Sequence, residues 1–262
     1  YFEISNLSKT ADDPFGVSLA GINLNIQAGE IMGIAGISGN GQAELLALLS
    51  GESFSEQGKI WLKGQNITQL NAGERRDLGL GFVPEERLGR GAVPAMTLSE
   101  NTLLTAFRRG LTRLGLINFA KTKTFAENCI QNFGVKAAGA HAEARSLSGG
   151  NLQKFIVGRE ILQQPKFLII SQPTWGVDVG ASMFIRQTLI DLSRTGVAIL
   201  VISEELEELF EISDRICVLA SGKLSLPQAT TSTNAEQIGL LMSGISSQPS
   251  DQHDGHKPEL HA

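Results

Sequence analysis

Residues 36–43, GISGNGQA, carry the backbone chemistry of a phosphate cradle. Closely spaced glycines at the start of a helix present N–H groups and a positive helix end to an anion. The candidate ligands are Gly36, Ser38, Gly39, Asn40, Gly41, Gln42 and Ala43. Yet the template Gly-x-x-x-x-Gly-Lys-[Ser/Thr] puts its charge-neutralising lysine at Gln42 and its magnesium-binding hydroxyl at Ala43. From these residues alone the stretch is either a nucleotide site or a tightly packed strand-to-helix turn. A second anion corner lies at 147–154, LSGGNLQK. There the Ser148 hydroxyl, the N–H groups of Gly149 and Gly150 and a helix N-terminus converge; the alternative is a serine cap and nothing more.

The elements around these residues follow from hydrophobic period. EIMGIAGISGNGQAELLALLSG switches period from 2 to 3.6, which predicts strand, glycine turn and helix. That helix presents Leu45, Leu46, Leu48 and Leu49 on one face and stops at Ser50-Gly51, where glycine suits a left-handed cap. GKIWLKGQNI reads as a hairpin, and 78–84 as a buried strand ended by Pro84. The apolar runs KFLIIS (166–171) and VAILVIS (197–203), separated by a helical segment at 181–194, match a parallel βαβ unit. Between them and the first half, residues 97–159 show helical periodicity without strands. The architecture is α/β with a helical insertion. From 227 onward the composition turns polar, and the expectation is an unstructured tail through 262; His253, His256 and His261 fall in it and read as polar tail residues.

Composition narrows the function classes. The chain has 262 residues, 42% hydrophobic and 19% charged, with net charge -5, which argues against a nucleic-acid coating protein. Its two cysteines, Cys129 and Cys217, lie far apart in apolar surroundings and suit buried thiols in a reducing compartment. No run approaches a membrane span and no secretion signal opens the chain. It starts at Tyr1 directly in a strand pattern, as expected of a piece cut from a longer polypeptide.

Several separated motifs then agree. LSGGNLQK is followed by an arginine-bearing helix, the strand KFLIIS and QPTWGVDVGA (172–181), while FVPEER (82–87) and VISEELEELFEISDRICVLASGKL (201–224) lie at matching distances. In this order the chain resembles the ATP-binding cassette ATPases over residues 1–224. More narrowly it is similar to the second of two fused cassettes in bacterial importers of simple sugars and nucleosides. The resemblance implies a P-loop, RecA-like nucleotide-binding domain over 1–226, with an antiparallel β subdomain and a helical subdomain at about 97–159. It implies ATP as ligand, with Mg²⁺ mainly at the partner's site, and no metal held by this chain.

At the positions where that family's chemistry resides, this chain departs from the pattern. The lysine, strand aspartate, following glutamate and switch histidine correspond to Gln42, Ser171, Gln172 and Glu204, and the glutamine loop to Glu85. Alanine offers Mg²⁺ nothing, serine is a poorer ligand than carboxylate, and glutamine accepts no proton as a base. Gln42 remains able to donate a hydrogen bond to phosphate. Hydrolysis at this chain's own loop is therefore expected to be negligible, with nucleotide binding there weak.

The signature is intact. Because cassettes of this family dimerise head to tail, the resemblance implies that Ser148, Gly149, Gly150 and Gln153 act on a nucleotide held by another cassette, and that Asp178 lies on the loop crossing between the two. Phe15 is the one aromatic placed to stack on a base, its alternative being a core residue. The implied partners are a cassette fused upstream, transmembrane permease subunits contacting about 85–101 and, indirectly, an extracytoplasmic solute-binding protein, with no nucleic acid. The implied location is cytoplasmic, peripheral on the inner face of the plasma membrane. The competing reading is a regulatory module that binds nucleotide without hydrolysing it. A soluble cassette acting in translation or DNA repair is disfavoured by the motifs and the acidic balance.

Overall fold

The computed structural model describes residues 1–243. Its centre is a sheet whose five core strands run parallel: β6 (Leu80–Val83), β9 (Phe167–Ser171), β10 (Ala198–Ser203), β3 (Ile31–Ala35) and β11 (Arg215–Ala220), in that spatial order. Two short strands, β12 (Lys223–Leu224) and β13 (Gln228–Ala229), pair antiparallel with β11. Period-2 alternation sends side chains to both faces. Met32, Ile34, Phe167 and Ile169 point into one core and Ile31, Ala35, Leu168 and Ile170 into the other. This explains why the sequence shows continuous apolar runs here, since both faces are covered.

The first core is closed by an antiparallel sheet, β1 (Phe2–Lys9), β2 (Leu19–Ile26), β4 (Gln57–Leu62) and β5 (Gln65–Asn66), and by α1 (Gln42–Ser50). Leu45, Leu46, Leu48 and Leu49 of α1 are all buried, and Gly51 closes the helix with φ 84°. No basic residue sits in the last turn of α1. Arg75, from α2 (Ala72–Asp77), supplies that charge from outside, its Nη1 donating to Leu48 O and Leu49 O. Burial lowers this guanidinium to about 10.

The second core is closed by α5 (Gly149–Ile161), α6 (Val179–Arg194) and α7 (Leu206–Ile212), with α3 (Leu98–Ala106) and α4 (Phe119–Asn132) forming the helical insertion. The insertion differs from the all-helical expectation: β7 (Thr112–Arg113) and β8 (Leu116–Ile117) make a tight hairpin between α3 and α4. Beyond 226 the chain does not become unstructured at once. An eighth helix, α8 (Ala235–Met242), seats Ile238 fully buried in the second core, because Ile238, Leu241 and Met242 share a face that composition alone conceals. Residues 244–262, including the three tail histidines, lie outside the described residues. Cys129 and Cys217 are free and buried, both thiols pushed up to about 12 by desolvation. Among the described residues no helix is long and apolar enough to cross a membrane.

Candidate functional site: two anion corners at the strand ends

In parallel sheets, ligands gather outside the carboxyl ends of the strands. The registers Ser203↔Ala35, Ile202↔Ser171 and Val83↔Ile170 align those ends of β10, β3, β9 and β6. Residues 36–43, Gln172, Glu204 and Glu85 therefore emerge on one edge.

The phosphate loop is folded onto itself. Gln42 Oε1 accepts from the Asn40 N–H at 3.0 Å, and Gln42 Nε2 donates to Ile37 O at 2.9 Å. Asn40 Nδ2 donates to the same carbonyl at 2.8 Å, while Asn40 Oδ1 and O accept from the N–H groups of Ser221 and Gly222. Gln42 Nε2 stands 2.6 Å from where a Cβ on Gly36 would lie, so glycine there makes room for the turned-in carboxamide. The side chain expected to reach toward phosphate is thus a strut of the loop. Its carbonyl oxygen takes the backbone donor that a phosphate oxygen would use. Ser38, Gly39 and Ala43 are exposed, and Gly41 leads into α1 with φ 108° and no side-chain cap.

Around the strand ends the chemistry is that of carboxamide and hydroxyl. Ser171 and Gln172 are buried, Gln172 at φ 47°. Gln172 Oε1 accepts from Ser203 Oγ at 3.4 Å and from the Glu204 N–H at 3.3 Å. Behind them sits Glu208, buried, accepting from Thr174 Oγ1 at 2.7 Å and Ser203 Oγ at 2.9 Å. Desolvation raises its carboxyl above the ordinary carboxylate range despite those bonds and Arg186 nearby. Glu85 is exposed and Glu204 half-exposed. As a magnesium site this edge fits poorly: the two expected ligand positions hold Ala43 and Ser171, and no cluster of three or more His, Cys, Asp or Glu suited to a metal occurs among the described residues. The two carboxylates Glu85 and Glu204 oppose a polyanion at the same edge.

The signature corner is open. Ser148 caps α5, accepting from the Asn151 N–H at 3.4 Å and from Asn151 Nδ2 at 2.9 Å, and both Ser148 and Gly149 are exposed. Gly150 is buried against the loop after β9: a Cβ on it would lie 2.8 Å from Asp178 Oδ2 and 3.0 Å from the Ala181 Cβ. Asp178 caps α6 through its other oxygen, Oδ1, which accepts from the Ala181 N–H at 2.9 Å. Asp178 and the signature thus form one corner. Gln153 does not share its exposed face. It is buried and donates to Pro173 O at 3.0 Å, with Oε1 unpartnered, so it ties α5 to the 173 loop instead of facing a partner's nucleotide.

Arg87 is the residue that sequence reading missed. Its guanidinium donates to Trp175 O, and its Nη1 lies 2.6 Å from a Cβ built on Gly149. Desolvation lowers its pKa. A cation therefore lies over the signature glycine with no ion-pair partner among the described residues. The available signal was FVPEER, where an arginine follows two glutamates. Nothing in that spacing shows its reach across the fold to residue 175.

Phe15 is 97% exposed, which excludes the core alternative. Its loop is tied to α1 by Glu44 Oε1, which accepts from the Val17 N–H at 2.9 Å. The far end of α5 is bound by charge: Glu160, buried, pairs with Arg76 at 2.6 Å and Arg159 at 3.2 Å, and Arg159 donates to Asn101 O and Gly91 O. Burial opposes ionisation of Glu160, but the two guanidiniums hold its carboxyl below the ordinary range.

Comparison with known proteins identifies the family and the fold. The sequence model described as "ABC transporter" matches residues 19–175. The chain is 39% identical over 229 residues to the nucleoside import ATP-binding protein NupA of Lactococcus lactis, covering 87% of this chain and 45% of the relative. It is 36% identical to the guanosine import ATP-binding protein NupO of Bacillus subtilis (94% and 49% covered) and 35% identical to the galactose/methyl galactoside import ATP-binding protein MglA of Escherichia coli (86% and 45%). The chain thus spans about half the length of these relatives. In fold it is similar to the dimeric ATP-binding cassette MJ0796 bound to ADP and Pi, with TM-score 0.75 at 22% identity, covering 88% of this chain and 99% of that one. With its P-loop α/β core, antiparallel β subdomain and helical insertion, the chain belongs to the ABC transporter family, among relatives of the nucleoside and sugar importer ATPases.

Proposed function

We infer that this chain is the second of two fused cassettes in an importer of simple sugars or nucleosides, and that it serves the nucleotide of its companion more than its own. The observation that carries the reading is the contrast between a phosphate loop closed by Gln42 and a signature corner open at Ser148 and Gly149. An ATP held by the other cassette would present its γ-phosphate to the Ser148 hydroxyl, the Gly149 and Gly150 N–H groups and the start of α5. The Arg87 cation sits where it would attract that charge. Bound ATP with Mg²⁺ supplies the phosphoryl group and the metal that draws charge off it; this chain's residues orient and close.

Closure would pass outward along α5. The Arg76–Glu160–Arg159 network joins its far end to the carbonyls of Gly91 and Asn101, within the 85–101 segment proposed to meet the permease. The solute-binding protein would act only through that permease. The printed roles of NupA, NupO and MglA support an importer, and the half-length match leaves room in such a protein for a companion cassette.

ATP turnover of this chain alone, and then joined to the upstream cassette, tests the reading. The expected result is negligible turnover alone and robust turnover when joined; appreciable ATPase activity of the isolated chain would overturn it. A second reading, a non-hydrolytic module that binds nucleotide, draws on the exposed Phe15 beside α1. It would be favoured by tight nucleotide binding to the isolated chain with no turnover in either setting.

A further inference from the structure

The hairpin in the helical insertion is built against the usual rules for a water-facing turn. Its two-residue loop places Leu114 at φ 52° and Gly115 at φ 77° between the pairs Thr112↔Ile117 and Arg113↔Leu116. Such loops select Asn, Asp or Gly for positive φ, and leucine there is strained. It is also apolar where nothing covers it: Leu114 is 94% exposed, Leu116 and Phe119 74% each, and Phe107 and Ile117 are exposed beside them. The base is fixed by buried Leu111, whose carbonyl accepts from the Asn118 N–H at 2.8 Å.

Charge accompanies the apolar tip. In a chain of net charge -5, the segment 107–123, FRRGLTRLGLINFAKTK, carries five cations (Arg108, Arg109, Arg113, Lys121 and Lys123) and no acidic residue. Arg108 pairs with Asp77 and Lys123 with Glu127. Arg109, Arg113 and Lys121 have no ion-pair partner among the described residues. Exposed leucine and phenylalanine ringed by unpaired arginine and lysine is the composition of an interfacial anchor. The apolar side chains enter the acyl boundary while the cations meet anionic headgroups.

We propose that the 107–123 hairpin and first turn of α4 bind the surface of an anionic lipid bilayer directly, with Leu114, Leu116 and Phe119 as the inserted residues and Arg109, Arg113 and Lys121 as the headgroup contacts. This contact is independent of the nucleotide reading. It gives the cassette a foothold on the membrane besides any held through permease subunits, and a face with five cations and no acidic residue is complementary to an anionic surface.

The test is flotation of the full chain with vesicles of phosphatidylcholine alone or with a quarter phosphatidylglycerol. Binding is expected only to the anionic vesicles, weakening with salt. Arg109→Glu with Arg113→Glu is expected to cut partitioning by about tenfold or more, and Leu114→Asp with Leu116→Ser to abolish it at all salt concentrations. Because these side chains are exposed, neither variant should lower the thermal melt. Equal partitioning of wild type and variants, or no binding to lipid, would overturn the proposal. Hairpin-dependent binding only to vesicles carrying permease would also overturn it, in favour of a protein docking surface.

Discussion

Two corners of this molecule have the same raw materials, glycine N–H groups before a helix, and opposite states. At the phosphate loop, Gln42 and Asn40 consume the loop's hydrogen-bonding groups from within. At the signature, Ser148 and Gly149 face solvent with the Arg87 guanidinium beside them. The difference lies in side chains one to three residues away, not in the glycines. A backbone cradle thus offers an anion one donor fewer where a neighbouring carboxamide takes it first.

The contrast breaks most sharply at Ser148. In the joined cassettes, Ser148→Arg should abolish ATP hydrolysis by filling the open corner, whereas Gln42→Ala should leave turnover within about twofold of wild type. Steady-state ATPase assays of the two variants decide it. The reverse ranking would place this chain's chemistry at its own phosphate loop and refute the division of labour.

A step smaller is Arg87. If its cation assists the partner's phosphate, Arg87→Ala should lower turnover of the joined cassettes by about ten- to hundredfold, within the range for one transition-state donor. Arg87→Lys, keeping charge but not the planar fork, should recover part of it. A structural role alone would instead appear as a lowered melting temperature with both variants equally inactive.

Much of this was legible beforehand. The leucine face of α1, the Gly51 cap and the strands on either side of α6 follow from period and end residues, because each is set by neighbours within a few positions. What escaped reading depends on atoms distant in sequence or on weak local signals. Arg87 reaches Trp175 across 88 positions, a contact that no spacing rule encodes. The inward turn of Gln42 depends on the Ile37 carbonyl, shared with Asn40 Nδ2, being within reach, which the one-letter code does not display. The hairpin at Leu114 lacked the Asn-Gly signature of its turn type. In α8, eight residues give too few turns for the shared face of Ile238, Leu241 and Met242 to stand out as a period.

Smaller again is the effect of releasing the loop. Gln42→Ala frees the Asn40 N–H while Asn40 Nδ2 still holds Ile37 O, so the loop should keep its shape and recover one donor. ADP affinity of the isolated chain, measured by calorimetry, should rise by a few-fold, about what one neutral hydrogen bond gives. An unchanged or weaker affinity would show that Gln42 does not compete with phosphate, and the contrast would then rest on the missing lysine alone.

The smallest expected signal comes from Glu208, which lies behind the edge that both corners flank. Its hydroxyl partner Ser203 also contacts Gln172, so the carboxyl braces the residue standing at the position of the family's water-orienting glutamate. Desolvation raises its folded-state pKa above the unfolded value. The folded state therefore binds this proton more tightly, and the stability that follows is fully present below about pH 4.3, the unfolded carboxylate value, and is lost as pH rises through the folded pKa. Glu208→Gln has no such proton. The stability of wild type relative to Glu208→Gln, from urea melts across that window, should fall as pH rises and then level off. Parallel profiles would mean that Thr174, Ser203 and Arg186 compensate the buried charge fully, leaving Gln172 braced equally well by a neutral or an ionised neighbour.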